Sequence, residues 1–520
     1  MNRPSSIFFA LALATQASFA ALPQPVKLKS GLVAGVAADD SSITVFKGIP
    51  FAAPPVGDLR WRAPRPAAVW MGVRKADRFS ASCIQNVVAE RKPWTFEFMT
   101  HGDISEDCLY LNIWTPARAP GEKHPVFLWM YGGGNTEGSA VVPVYDGEQL
   151  AKKGLVVVTI NYRLGVFGFF THPELTKESD TSGNYGLLDQ VAALQWVKHN
   201  IAAFGGDPAR VTIAGQSAGA SDAHSLVASP LAKGLFARAI EESGSSIPGN
   251  MRTLSEQEKD GVRFAEAKGA HSVAELRAMS AQDIFKPVTG APLRFGPVVD
   301  GHFLTASPNE IFAQGKQNDV PELTGCNKDD LGGGVPHPDT TVELFLKVAH
   351  QRYGDMAEAF LKLYPAESDA QARESQNESA RDQLRTSMYL WTLNRAKTAN
   401  SKVWTYFWDH PLPGPDAERY GAFHTSEVPY VFNSLAKSDR PLTDSDRKIA
   451  DMMSSYWANF AATGDPNGQG LPHWSAVSEA PEMTMELGDT NKPIPIAGNG
   501  AKESFFTELL SKPRVSQRRE

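Results

Sequence analysis

Ser217 lies between two glycines in Gly215-Gln216-Ser217-Ala218-Gly219. A serine hydroxyl is a weak nucleophile on its own. Chemistry at this position needs a base, an acid to orient the base, and N–H donors for a developing oxyanion. Flanking glycines let neighbouring backbones pass closely, and they permit the tight strand-to-helix turn that lifts Oγ clear of a sheet. The pattern alone is weak, since small residues recur by chance, so its surroundings matter. Val211-Thr212-Ile213-Ala214 reads as a strand running straight into the serine, and 218–227 suits a helix whose first N–H groups face negative charge. The competing reading is a structural turn without chemistry.

Donors and a base can be sought at fixed places in the chain. Tyr131-Gly132-Gly133-Gly134 ends an apolar run upstream of the serine, where glycine amides can turn toward a bound carbonyl. A second run, Gly332-Gly333-Gly334, follows no such strand and reads as a flexible turn. Downstream histidines are His302, His337, His350, His410, His424 and His473. His424, within Gly421-Ala422-Phe423-His424-Thr425-Ser426-Glu427, stands in a loop beyond the apolar run 403–408, whereas His410 directly follows that run and reads as its cap.

These residues need a scaffold, and the periodicity supplies one. Pro125-Val126-Phe127-Leu128-Trp129-Met130 and the run from Leu155 to Tyr162 read as buried strands. Between Gly186 and Phe204, Leu187, Val191, Leu194 and Val197 fall at helical spacings. Strand, helix, strand in this order predicts a parallel sheet with helices on its faces. Residues 250–400 read as mostly helical and charged, with Ser368 to Arg385 as a solvated surface helix. Val403 to Trp408 returns to strand, so both ends of the chain feed the sheet. The expectation is one interwoven domain over 21–520 with helical insertions.

At 520 residues and 42% hydrophobic, the chain can bury a large core. Its net charge is -7 with no basic block, which argues against nucleic acid as a partner. Residues 1–20 read as a signal peptide: Arg3, an apolar run from Ile7 to Ala14, then Ser18-Phe19-Ala20. That run is short of the ~20 residues needed to span a bilayer, and no later stretch qualifies. A secreted or periplasmic protein is expected, without stable membrane insertion. The oxidising compartment permits a disulfide, and three cysteines leave one unpaired.

Longer blocks then carry a resemblance. Phe46-Lys47-Gly48-Ile49-Pro50-Phe51-Ala52-Ala53-Pro54-Pro55-Val56-Gly57-Asp58-Leu59-Arg60 is followed by Ser105-Glu106-Asp107-Cys108-Leu109-Tyr110-Leu111-Asn112. Phe204-Gly205-Gly206-Asp207-Pro208, Gly296-Pro297-Val298-Val299-Asp300-Gly301, Asn459-Phe460-Ala461 and Thr463-Gly464-Asp465-Pro466-Asn467 come after them. In this order the chain resembles the type-B carboxylesterases along nearly its whole mature length. The resemblance implies an α/β-hydrolase fold and a serine carboxylesterase acting on a small-molecule ester through an acyl-enzyme, with no metal or organic cofactor. It implies Ser217 as nucleophile, His424 as general base, and Gly133, Gly134 and Ala218 as oxyanion-hole amides. It further implies a Cys83–Cys108 disulfide, leaving Cys326 free, and an Arg60–Glu106 salt bridge. Ser243 matches a hydroxyl near the acid, and Glu427 a buried carboxylate beside the histidine loop.

Departures from the family pattern mark where the reading is open. The acid block reads Gly325-Cys326-Asn327-Lys328-Asp329-Asp330-Leu331, so Asp330 aligns with the usual Glu, one methylene shorter. Either that loop moves inward or Asp329 takes the role; Asp330 is the favoured acid, since Asp orients the imidazole in other serine hydrolases. Gln216 replaces the usual Glu before the nucleophile, which argues against a site tuned to a quaternary ammonium. Asn135 replaces a frequent Phe and predicts a more polar pocket wall. Trp94, Phe96, Phe98 and Met99 either line the site entrance or pack the loop onto the body. An inactive esterase-like binding protein and an amidase on the same fold are the alternatives to an esterase.

Overall fold

The computed structural model describes residues 21–244, 251–288, 293–330, 340–496 and 500–511. The expected signal segment 1–20, Leu331, the glycine run 332–334 and His337 lie outside them.

An 11-stranded sheet organises the chain. Its strands are β1 (Val36–Ala37), β2 (Thr44–Pro50), β3 (Tyr110–Thr115), β4 (His124–Met130), β5 (Val156–Ile160), β6 (Gly206–Gln216), β7 (Arg238–Glu242), β8 (Glu322–Asn327), β9 (Val403–Trp408), β10 (Met483–Leu487) and β11 (Lys492–Pro495). Across the sheet they run β11-β10-β9-β8-β7-β6-β4-β5-β3-β2-β1. From β10 through β5 neighbours are parallel, and the antiparallel pairs lie toward the two edges. The expected mostly parallel α/β sheet is therefore present, and it is the α/β-hydrolase architecture. Helix α1 (Tyr185–Asn200) carries the chain from β5 to β6, and α2 (Ala218–Ala228) leads away from β6.

Helices cover both faces of the central strands, so apolar residues are useful at every position there. Val156, Val157, Val158 and Ile160 are all inaccessible to solvent, as are Val126 to Met130. This explains why the strands read as continuous apolar runs. β6 begins five residues earlier than the run 211–214 suggests. Its register against β4 shifts between Gly206 and Val211, where Pro208 has no N–H for the ladder.

The expected solvated helix over 368–385 needs correcting. Ser368 caps α3 (Asp369–Ala396), which buries Ala372, Ser375, Ser379 and Asp382. Polar residues of that buried stripe have internal partners: Tyr364 donates to Asp382 Oδ2 at 2.8 Å, and Ser375 to the Pro365 carbonyl at 2.6 Å. One stripe of the helix thus faces the protein, and the rest of its surface is at least partly exposed.

The N-terminal region is fastened as the resemblance implied. Cys83 and Cys108 form a disulfide closing 25 residues, and Cys326 is free and buried. Arg60 and Glu106 make a buried pair at 2.6 Å, while Arg60 Nη1 donates to the Leu276 and Met279 carbonyls at 3.1 and 2.9 Å. Among the described residues no helix is long and apolar enough to cross a membrane.

Candidate active site

β6 ends at Gln216, and Ser217 makes the turn into α2 with φ 58° and ψ -122°. A non-glycine residue in this region carries about 1–3 kcal/mol of strain, which the surroundings must hold. Ser217 N–H donates to the Glu242 carbonyl of neighbouring β7 at 2.8 Å, and the Ser217 carbonyl accepts from Ser221 at 3.0 Å. The flanking glycines are required by space: a Cβ on Gly215 would lie 2.4 Å from the Gly219 carbonyl carbon, and one on Gly219 would lie 2.1 Å from the Met130 oxygen. The elbow is packed against β4 with no room for a methyl group.

The loop after β4 brings Gly133 and Gly134 beside this elbow, with φ +110° and +63°. Its closure against Glu137 leaves no space for a Cβ on Gly133. Gly133, Gly134 and Ala218 N–H groups have no acceptor among the described residues. All three residues line the cavity that Ser217 enters.

Beyond β8 and β9 two loops meet. His424 Nδ1 hydrogen-bonds Asp330 Oδ1. Asp329 takes a different course: its Oδ1 accepts from Arg381 at 2.8 Å and its Oδ2 from Ala422 N–H at 2.9 Å. Adjacent in sequence, the two acids divide the work, Asp330 meeting the imidazole and Asp329 holding the backbone of the loop that carries it. Burial of His424 opposes its charged form, but the Asp330 charge and hydrogen bond, with the Glu427 charge, outweigh it and raise the pKa above the usual histidine value.

Gln216 Nε2 lies 3.3 Å from His424 Nε2 and 3.5 Å from Nδ1. An amide nearly equidistant from both ring nitrogens rests against the ring rather than along one lone pair. Ser217 Oγ has no hydrogen bond to His424, and such catalytic hydrogen bonds often tighten only when substrate is bound. Trp94 Nε1 donates to the His424 carbonyl at 3.1 Å and to Thr425 Oγ1 at 3.2 Å. Thr425 has φ 87°, Ser243 φ 55° and Asn135 φ 58°. Like Ser217, all three line the cavity, so non-glycine strain collects around it.

The cavity measures about 1280 Å³. Trp94, Phe98 and Met99 line it, whereas Phe96 is exposed and stacks on His101 outside. The two readings of this loop therefore divide by residue. Asn135 lines the wall, but its carboxamide is turned inward and donates to Asp222 Oδ1 at 3.0 Å. Its polarity is thus spent on a buried acid, whose pKa burial pushes up to about 7.

Two more carboxyls lie under the site. Glu427 accepts from Asn327 Nδ2, and burial pushes its pKa up to about 7. Glu242 accepts from Trp457 Nε1 at 2.7 Å and is raised well above the carboxylate range by burial and by the Glu427 charge. Ser243 donates its N–H to the Gly325 carbonyl at 2.8 Å and lines the cavity, but its Oγ has no partner among the described residues. Glu242, Asp222 and the Asp329–Arg381 pair were not singled out from sequence. Only Glu242 carried a signal, through its place before Ser243-Gly244.

Comparison with known proteins follows the same lines. The family model described as Carboxylesterase family matches residues 23–506. The chain is 40% identical over 477 residues to a fumonisin B1 esterase of Sphingopyxis macrogoltabida, covering 88% of this chain and 85% of that protein. It is 36% identical over 488 residues to a cocaine esterase of Homo sapiens, covering 88% and 86%. Against a para-nitrobenzyl esterase of Bacillus subtilis the identity is 33% over 495 residues, covering 89% and 94%.

Proposed function

This chain belongs to the Carboxylesterase family and is a carboxylic-ester hydrolase, and from that premise we propose that it works through an acyl-enzyme formed on Ser217. His424 Nε2 takes the Ser217 proton as Oγ attacks the ester carbonyl. The oxyanion is held by Gly133, Gly134 and Ala218 N–H groups, each such donor being worth ~3–4 kcal/mol of transition-state stabilisation. Protonated His424 gives its proton to the departing alcohol, and water repeats the cycle on the acyl group. Asp330 fixes the ring so that Nε2 faces the serine and stabilises the imidazolium.

The observation that carries this reading is the His424 Nδ1–Asp330 Oδ1 hydrogen bond beside a strained Ser217 flanked by three unpaired N–H donors. The test is Ser217→Ala, assayed on short p-nitrophenyl esters. Turnover should fall to background with the melting temperature unchanged, and an organophosphonate probe should label only the wild-type protein. Retained turnover sinks the assignment. Matched anilides run in parallel should be cleaved far more slowly than the esters, which separates an esterase from an amidase.

We extend the proposal to the substrate and the compartment. The cavity exceeds the roughly 300–1,000 Å³ of ordinary small-molecule pockets, so bulky esters fit, and fumonisin B1 is the first to try because a relative is named for it. A leader over 1–20 and the Cys83–Cys108 bridge support export. We read residues 21–520 as one folded unit, since the large sheet draws strands from residues 36 to 495.

A further inference from the structure

On one face of the sheet, beneath α2, three side chains converge: His224, Glu241 and Glu322. Each is buried, and one ligand atom from each lies within 4.8 Å of the others. The topology explains the convergence. Ala239 of β7 pairs with Glu322 of β8, and residues directly opposite share a face. Glu241, two residues beyond Ala239, points the same way. His224 descends onto this face from α2, its ring stacked on Phe312 at 4.6 Å and met edge-on by Trp391 at 5.7 Å.

The hydrogen bonding is incomplete. Arg395 pairs with Glu322 Oε1 at 2.5 Å, and its other nitrogens are taken by the Ser401 and Val320 carbonyls at 2.9 and 2.6 Å. That leaves Glu322 Oε2, both oxygens of Glu241 and His224 Nδ1 without hydrogen-bond partners, at a place where Glu241 and Glu322 have no solvent exposure. The closest approach is His224 Nδ1 to Glu241 Oε2 at 3.5 Å. Each orphaned carboxylate oxygen is costly away from water.

We propose that His224, Glu241 and Glu322 hold one divalent transition-metal ion, Zn²⁺ or Mn²⁺. A proton on His224 would satisfy Nδ1 and one oxygen of Glu241 but leave two carboxylate oxygens orphaned, whereas a central cation meets one atom from each of the three residues. One imidazole with two carboxylates suits these borderline ions and not Ca²⁺, which asks for six to eight oxygens. Ligand bonds of about 2.0–2.2 Å put facing donors up to ~4 Å apart, so atoms within 4.8 Å of one another close on an ion with side-chain movements of up to about 1 Å. His224 also lines the large cavity, which supplies an entry path. The ion is structural: it ties α2, which starts at Ser217, to β7 and β8, and ester cleavage needs no electron or proton from it.

The test uses the full-length protein. It is stripped with chelator, then titrated with Zn²⁺ and with Mn²⁺ by calorimetry, with metal content read by plasma mass spectrometry and melting followed in parallel. One equivalent of either ion should bind and raise the melting temperature by at least about 2 °C. Glu241→Gln, nearly isosteric, should weaken binding at least tenfold, and His224→Asn serves should that variant not fold. Glu427→Gln, which leaves the cluster intact, should bind as wild type. Protein that holds no metal and melts alike with Zn²⁺, Mn²⁺ or chelator overturns the proposal and leaves a shared His224–Glu241 proton as the explanation. Undiminished binding in both Glu241→Gln and His224→Asn overturns it equally.

Discussion

Replacing each of the adjacent acids by its amide separates orientation of the base from support of its loop. In Asp330→Asn the carboxylate that accepts from His424 Nδ1 becomes an amide that can donate there, favouring the wrong tautomer and removing the charge that stabilises the imidazolium. Loss of such an acid lowers kcat by ~10³–10⁴, which is about 4–5.5 kcal/mol at 1.36 kcal/mol per tenfold. The protein should still fold, since among the described residues Asp330 otherwise bonds only with Asn327 backbone at 3.3 Å. In Asp329→Asn one amide oxygen can keep the Ala422 bond, but the Arg381 pair is lost. A half-buried charged hydrogen bond of that kind contributes about 1–3 kcal/mol to stability. Its kcat should stay within about threefold of wild type while its melting temperature drops. Initial rates on p-nitrophenyl butyrate, corrected for folded fraction by thermal melts, give both numbers. A thousandfold loss in Asp329→Asn with near-normal Asp330→Asn would falsify the assignment.

Other expectations concern the same neighbourhood. Since the His424 pKa is raised and the neutral ring is the base, kcat/KM should fall as pH drops through a midpoint above ~6.5. A pH–rate profile with its acid limb well below 6 contradicts this. Glu427, raised to about 7, keeps in the folded state a proton that the unfolded chain loses near 4.5, so its contribution to stability declines as pH rises between those values. Glu427→Gln should therefore melt higher than wild type at pH 8, by an amount worth ~1–3 kcal/mol, with the advantage gone by pH 5. Trp94→Phe keeps an aromatic wall but deletes the donor to the His424 carbonyl, and kcat should fall severalfold on small and bulky esters alike. An effect confined to bulky esters would make Trp94 a wall only.

The elbow was legible because its signal is local: strand, glycines and helix start lie within a dozen residues. His424 was not legible in this way. A lone histidine in a loop acquires meaning only from what folds against it, and the longer family blocks supplied that. Asp330 could be preferred to Asp329 only through its alignment with the family acid, because one residue of backbone decides which carboxyl meets the ring. That backbone is set by the contact of Asp329 with Phe423, a residue from a distant strand's loop. Glu241 and Glu322 were hidden for another reason. In a strand buried on both faces, a charged residue does not disturb the alternation that would expose it. The helix over 369–396 was misread through the same difficulty, since its serines and Asp382 are polar yet internal.

In the proposed mechanism the groups come from the ends of four strands: Gly133 and Gly134 after β4, Ser217 and Ala218 after β6, Asp330 after β8 and His424 after β9. Their mutual distances are thereby fixed by the pitch of the sheet, while the described stretches 251–288, 293–321 and 340–402 lie outside its strands. For an engineer this separates two kinds of edit. The excursions can be diversified to reshape which esters enter, provided that the side chains reaching back to the frame, Arg381 on Asp329 and Arg395 on Glu322, are kept.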